Sequence, residues 1–253
     1  MNPELQKVSA WLLANKLSLN ISKSNFLLIS SRKTDKSIKL KINSKDLKQE
    51  NYTKYLGVII DNNLNWKLHI KQINLKLSKG IGVLYKLRHL VPKQSLKTLY
   101  SSFIQSHVLY GILNWGCAKK TTLEPLKRNL RKAVRVIDFA NYTAHSEPIF
   151  KRLKIFNFDK LYMLETAKMM FQINTDKTIL EGKFVKTKNL HKYNTRQSSS
   201  EGFSLPSITT NYKKNFLTFD GIKFWNSLPI ELKKMYNKHH FVKQMKYFLM
   251  NNL

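Results

Sequence analysis

Residues 51–63, NYTKYLGVIIDNN, are where the chain changes its hydrophobic period, and that change bounds the fold more tightly than any other feature. Before it, SIKLKIN alternates Ile38, Leu40 and Ile42 with polar neighbours. NFLLIS is short and apolar enough for a buried strand, and NYTKYLGVII is rich in β-branched and aromatic residues. After it, Leu64, Leu68, Ile73, Leu77, Ile81 and Leu84 recur at helical intervals. Side chains repeating every second residue line one face of a strand, and those repeating every third or fourth line one face of a helix. The switch therefore predicts an α+β fold, a small helix-plus-strands piece over 1–62 followed by helices to the end. Three turn-tolerant residues, Asp61, Asn62 and Asn63, stand at the join, where Asp61 reads as the corner of a hairpin.

The helical part divides at its prolines. Pro92 ends the helix that follows Asn63 and starts another running through Leu113. TTLEPLKRNLRKAVRVI then turns Leu126, Leu130, Ala133, Val134 and Ile137 inward and leaves Lys127, Arg128, Arg131, Lys132 and Arg135 on the other side. Ser146 with Glu147-Pro148 opens a helix over PIFKRLKI, and NFDKLYMLETAKMMFQIN forms another with Leu161, Leu164, Met169 and Phe171 in the core. At the other end of the chain, Asn2 and Pro3 cap a first helix to about Leu17, with Leu5, Val8, Trp11 and Leu12 on one face. The serine-rich run YNTRQSSSEGFSLPS makes 176–215 a linker or loop region, and 216–253 reads as two short helices around Pro229. The organisation is then 1–62, 63–175, 176–215 and 216–253. A strand set this small leaves sheet edge exposed, which predicts poor solubility of the chain expressed alone.

Charge selects the partner class. Forty-five Lys+Arg against 15 Asp+Glu give a formal charge of +30, and a chain that basic repels itself unless a polyanion partner or counterions offset it. RNA or DNA is the first partner to consider. One cysteine, Cys117, excludes an internal disulfide and a Cys-rich zinc site, and within its apolar stretch it reads as a small core residue. No secretory leader pattern opens the sequence, so an intracellular setting, cytoplasm or nucleus, is expected rather than secretion. Residues 98–118 carry no charge, yet Gln105, His107 and Asn114 make the stretch a buried core helix rather than a membrane span.

Catalytic chemistry is harder to find. A two-metal site needs carboxylates that converge on shared cations, but Asp35, Asp46, Asp61, Asp138, Asp159, Asp176 and Asp220 include no adjacent pair. Neither a phosphate-cradling glycine loop nor an H-E-x-x-H helix occurs. Binding hardware remains: basic helix faces that neutralise phosphates, and Trp66, Tyr85, Trp115 and Trp225, which either stack on bases or fill the core.

WLLANKLSLNISKSNFLLI at 11–29 resembles the segment of non-LTR (LINE-type) retrotransposon reverse transcriptases that follows the catalytic turn. YLGVIIDNNLNWKLHI at 55–70 is similar to that family's primer-grip hairpin leading into the thumb. SFIQSHVLYGILNWG at 102–116 resembles the thumb, and FDGIKFWNSLPIELK at 219–233 a carboxy-terminal block, all four in the family's order. The resemblance implies a palm edge over 1–62, a thumb over 63–175, and a primer-template duplex as partner. It implies that Tyr55, Leu56 and Gly57 present backbone to the primer. Lys67, Lys86 and Arg88 on the first thumb helix, with Lys127, Arg128, Arg131, Lys132 and Arg135 on the later one, would meet phosphates. The family's Asp-Asp turn, which holds Mg²⁺, is absent from residues 1–10 and no cofactor site replaces it. The chain is therefore expected to be a fragment of an RNA-directed DNA polymerase, inactive alone. A truncated gene model of an active reverse transcriptase, and a basic helical interaction protein, are the alternatives.

Overall fold

The structure is a computed structural model and describes residues 3–30, 38–42, 45–176, 184–187, 201–207 and 216–251. It comprises two compact units, Met1–Lys71 and Gln72–Leu253. The α+β expectation holds: among the described residues the strands all precede residue 62, and no strand lies between 64 and 175.

The first unit opens with α1 (Pro3–Ala14), which ends when Lys16 enters the left-handed region at φ 56°. The Asn2 cap lies outside the described residues. β1 (Asn25–Leu27) pairs in parallel with β4 (Lys48–Glu50), while β2 (Lys41–Ile42) and β3 (Lys45–Asp46) form a minimal antiparallel pair. β5 (Tyr52–Tyr55) and β6 (Val58–Asp61) make a hairpin in register Tyr52↔Asp61 to Tyr55↔Val58. Among the described residues the three sheets have two strands each, and α1 buries Ser9, with Leu5 and Leu12 half-buried. Val8 and Trp11, expected inward, are 50% and 61% exposed because no strand face is broad enough to cover that side of the helix.

Asp61 is not the hairpin corner. The chain reverses at Leu56-Gly57, both at positive φ (45° and 84°), the two-residue turn whose twist matches the flanking strands. Asp61 closes β6, is 5% exposed, and organises the next five residues. Its Oδ1 accepts from the N–H of Asn63 and of Asn65, both at 3.1 Å, and its Oδ2 from the N–H of Trp66 at 3.0 Å. Leu64 and Trp66 sit at φ 49° and 63°, so the carboxylate holds a tight loop that delivers the chain into α2 (Lys67–Leu87). The α2 N-terminus is tied back to the hairpin where His69 Nδ1 accepts from the Ile59 N–H at 3.3 Å.

In the second unit, α2 buries Ile73, Leu77, Ile81 and Leu84 as its spacing predicts, whereas Leu68, in the first turn of the helix, is exposed. The helix after Pro92 does not run unbroken through Leu113. α3 (Lys93–Tyr100) widens into a π-helical turn at Ser101–Gln105 and continues as α4 (Ser106–Leu109). It stops where Tyr110 turns extended and Gly111 adopts φ 63°, and α5 (Ile112–Trp115) follows. Tyr100, Ile104, Val108, Ile112 and Trp115 are all 0–2% exposed, so this uncharged stretch is core. Among the described residues no helix is long and apolar enough to cross a membrane.

α6 (Lys120–Asp138) buries Leu123, Leu126, Leu130, Ala133, Val134, Val136 and Ile137. α7 (Ser146–Leu153) and α8 (Phe158–Thr175) follow, the latter capped by Asn157, whose side chain accepts the Lys160 N–H at 3.0 Å. A second π-helical turn, Leu217–Gly221, leads into α9 (Ile222–Ser227), α10 (Ile230–Lys233) and α11 (Lys238–Asn251), three helices where two were expected. One core joins α8 to these helices through Met170, Phe171, Trp225, Phe241 and Met245, with Phe203 included. YNTRQSSS, at 193–200 of the expected linker, lies outside the described residues.

A buried carboxylate ties three of these helices together. Asp138, at the end of α6, has a side chain 3% exposed. It accepts from Lys93 Nζ of α3 at 2.5 Å and from the Arg152 guanidinium of α7. Arg152 and Lys93 beside it hold its carboxyl below the usual carboxylate range. Its contribution is therefore complete above the unfolded value near 4 and is lost as pH falls through the lower folded value. Both cations are about half exposed, which screens the pair, so Asp138→Asn is expected to cost about 1–3 kcal/mol at pH 7. Urea titrations at pH 7 and pH 3 check this: the gap between wild type and variant should shrink at pH 3.

Candidate nucleic-acid interface

Helices α2 and α6 are joined by a hydrogen bond from Asn129 Nδ2 to Asn74 Oδ1 at 3.0 Å. A groove of about 420 Å³ runs along this junction, lined by Ser78, Gly82, Tyr85, Lys86, Asn129 and Lys132 with Ile81 at its base. Its shape follows from residue size. Ser78, Gly82 and Lys86 are spaced four apart and share one face of α2; the first two are small, and nothing stands within 4 Å of a Cβ placed on Gly82. No carboxylate lines the groove, so Lys86 from one wall and Lys132 from the other leave it cationic.

An aromatic cluster continues it. The Arg88 guanidinium carbon lies 5.2 Å from the ring centroids of both Tyr85 and Phe139, and Arg88 Nε donates to His89 Nε2 at 2.9 Å. His89 in turn meets Phe139 edge-on at 5.5 Å. Phe139 stands here because α6 ends on it at φ 58°, which turns the ring out to 45% exposure. A guanidinium held between two rings loses little freedom on meeting a phosphate, and Tyr85, 61% exposed, offers a stacking face.

The remaining basic residues of α6 are deployed differently. Lys127 donates to both oxygens of Asp159 on α8, at 2.6 and 2.8 Å, and lies 5.5 Å from the Phe158 ring centroid. Arg131 pairs with Glu124 one to two turns back, and Arg131 holds that carboxyl below its ordinary range. Arg135 Nε donates to the Ala144 carbonyl at 2.7 Å, fixing the loop before α7. Arg128 and Lys132 are exposed and make no ion pair among the described residues. The structure thus brings Lys86 and Lys132 to one groove, puts Arg88 beside it, and gives Lys127, Arg131 and Arg135 partners within the protein.

Tyr55, Leu56 and Gly57 form the exposed tip of the β5–β6 hairpin in the first unit, and Lys67 is the exposed first residue of α2. Of the four aromatics whose sequence context allows stacking, Trp115 and Trp225 are fully buried and Trp66 is half-buried. Phe139 and His89 belong to no motif, and nothing in the sequence alone points to them. Cys117 Sγ donates to the Asn114 carbonyl at 3.4 Å, and burial pushes its thiol up, away from a reactive thiolate. Among the described residues no three His, Cys, Asp or Glu side chains group as metal ligands.

Comparison with known proteins gives this geometry a context. Over 153 residues the chain is 26% identical to a Drosophila melanogaster protein described as a probable RNA-directed DNA polymerase from transposon X-element. That match covers 59% of this chain and 17% of the relative, so the chain spans less than a fifth of that protein's length. No protein-family model matches the chain, and no solved structure matches it. A reverse-transcriptase-like origin is thereby supported at the level of a transposon RNA-directed DNA polymerase.

Proposed function

We propose that the chain is part of a LINE-type, retrotransposon-encoded RNA-directed DNA polymerase and that its role is to hold primer-template nucleic acid. The observation that carries this is the carboxylate-free groove to which α2 brings Lys86 and α6 brings Lys132, with Tyr85 also in its lining. The similarity over 153 residues and a formal charge of +30, which favours polyanion partners, both support this reading. Two cationic helix flanks meet the phosphates of a duplex without reading its bases. Arg88, held between Tyr85 and Phe139, extends that line of cations. The hairpin tip at Tyr55, Leu56 and Gly57 presents backbone to the primer strand. Lys127, Arg131 and Arg135 act first on the fold and contribute to binding through the field they add. Polymerisation needs carboxylates that converge on shared cations, and among the described residues none group in that way, so no metal-dependent nucleotidyl transfer is assigned to the chain by itself.

The test is a binding titration of an RNA–DNA primer-template against Lys86→Gln/Arg128→Gln/Lys132→Gln at several salt concentrations. Affinity should fall at least tenfold for every sequence alike. The slope of log K against log salt should flatten by about 0.9 for each phosphate that is no longer neutralised. Unchanged affinity and slope in the folded variant would remove the α2–α6 groove from the interface. With Mg²⁺ or Mn²⁺ and nucleotides added to the same mixture, no primer extension is expected; extension abolished by Asp61→Ala would overturn the inactive assignment.

A further inference from the structure

A larger cleft lies elsewhere in the second unit, with a volume of about 1070 Å³. Its rim carries Lys97 of α3, Lys151 and Lys154 at the end of α7, Lys168 of α8, and Lys243 and Lys246 of α11. Those six lysines face one lining carboxylate, Glu165, which is already engaged with Lys168 at 2.6 Å. The floor is apolar, built from Leu109, Phe156, Leu161 and Met250, and Tyr247 stands at the edge 69% exposed. The local chain makes this shape: α7 stops at Lys154, at φ 55°, which swings Lys154 outward and lays Ile155 and Phe156 into the floor. Across it, Lys243, Lys246, Tyr247 and Met250 share one face of α11 at spacings of three and four.

We propose that this cleft is a second nucleic-acid site and that it takes single-stranded RNA or DNA, with phosphates along the lysine rim and bases on the apolar floor and Tyr247. A duplex offers a protein surface its phosphates and grooves but keeps the faces of its bases stacked, so an apolar floor between two cationic walls has no use for it. A single strand presents phosphates and base faces together. An acidic protein segment satisfies the lysines and leaves the floor without stacking partners. A lone acyl chain needs an enclosed apolar cavity, whereas this cleft is ringed by six cations. The site shares no lining residue with the α2–α6 groove and stands independently of the duplex-holding reading.

The experiment uses the full chain, a fluorescein-labelled 12-nucleotide oligouridylate, and a labelled 12-base-pair duplex, each titrated in fluorescence anisotropy. Lys97→Gln/Lys154→Gln/Lys243→Gln/Lys246→Gln should weaken the oligouridylate at least tenfold and change the duplex less than twofold. Its salt slope for the single strand should flatten by about 0.7 for each phosphate freed of its lysine. Tyr247→Ala, a single change at an exposed position, should weaken the oligouridylate at least fivefold without changing its salt slope. The α2–α6 groove variant should show the reverse preference, so either reading can fail while the other stands. Equal loss on both probes, wild-type binding of the oligouridylate by the quadruple variant, or its displacement by polyglutamate at equal charge would each overturn the single-strand assignment.

Discussion

Asp61→Ala is expected to destabilise the junction between hairpin and helix by about 2–4 kcal/mol. The carboxylate accepts three backbone N–H bonds, from Asn63, Asn65 and Trp66, and is 5% exposed, so alanine leaves all three donors without that acceptor in a partly buried loop. The cost is raised by the conformation those bonds maintain, since Leu64 and Trp66 both occupy positive φ, where a non-glycine side chain is disfavoured. Amide exchange is the direct measurement. Protection at residues 63, 65 and 66 should fall roughly 30-fold to 1000-fold, following the tenfold change per 1.4 kcal/mol. Asp61→Asn retains one acceptor oxygen and should lie between the two. Protection unchanged in Asp61→Ala would show that the loop is held by something other than this carboxylate.

Trp225→Ala should have the largest effect on the second unit, about 3–5 kcal/mol, or roughly 6–20 °C in Tm. Trp225 is fully buried, with its ring 6.0 Å from Phe241 and 6.4 Å from Phe203. Its Nε1 donates to the Glu201 carbonyl at 3.2 Å, beside a clasp in which Asn226 bonds both the N–H and the carbonyl of Phe203, at 2.9 and 2.8 Å. Removing the indole therefore empties the centre of the core and loosens the 201–207 segment at once. Trp225→Phe keeps most of the apolar packing without the donor, and should cost less than half as much. Thermal melts followed by circular dichroism separate the two variants; a drop of under 3 °C for Trp225→Ala would contradict the central role of this ring.

The sequence made α6 legible because a two-sided helix needs only local spacing: Leu126, Leu130, Ala133, Val134 and Ile137 face inward as their intervals require. Which cations of its outer side remain available was not legible. The carboxylate that engages Lys127, Asp159, lies 32 residues away, and only tertiary packing brings them together. The hairpin corner misleads for a local reason. Asp61-Asn62-Asn63 has the side chains turns favour, but the reversal happens at Leu56-Gly57, where glycine carries one positive φ and the tight register forces the other onto leucine. The lysine-rimmed cleft had no sequence signal at all, because its cations come from four helices between residues 97 and 246.

The π-helical turn at Ser101–Gln105 solves a counting problem. Leu96, Tyr100, Ile104 and Val108 are all buried and lie four residues apart, a period longer than the 3.6 of an α-helix. At about 100° per residue such a stripe would slide around an unbroken helix by about 40° at each step, roughly 120° from Leu96 to Val108. One extra residue accommodated in the wider turn cancels about 100° of that slide. What is left, about 20°, falls well within an ordinary apolar face. The turn therefore works as a phase corrector. It also makes this helix asymmetric toward change in length: losing one residue from 101–105 lets the turn relax to an α-helix with the downstream stripe still facing the core. Losing one on either side of it, where nothing is stored, rotates Val108 or Leu96 out of the interior.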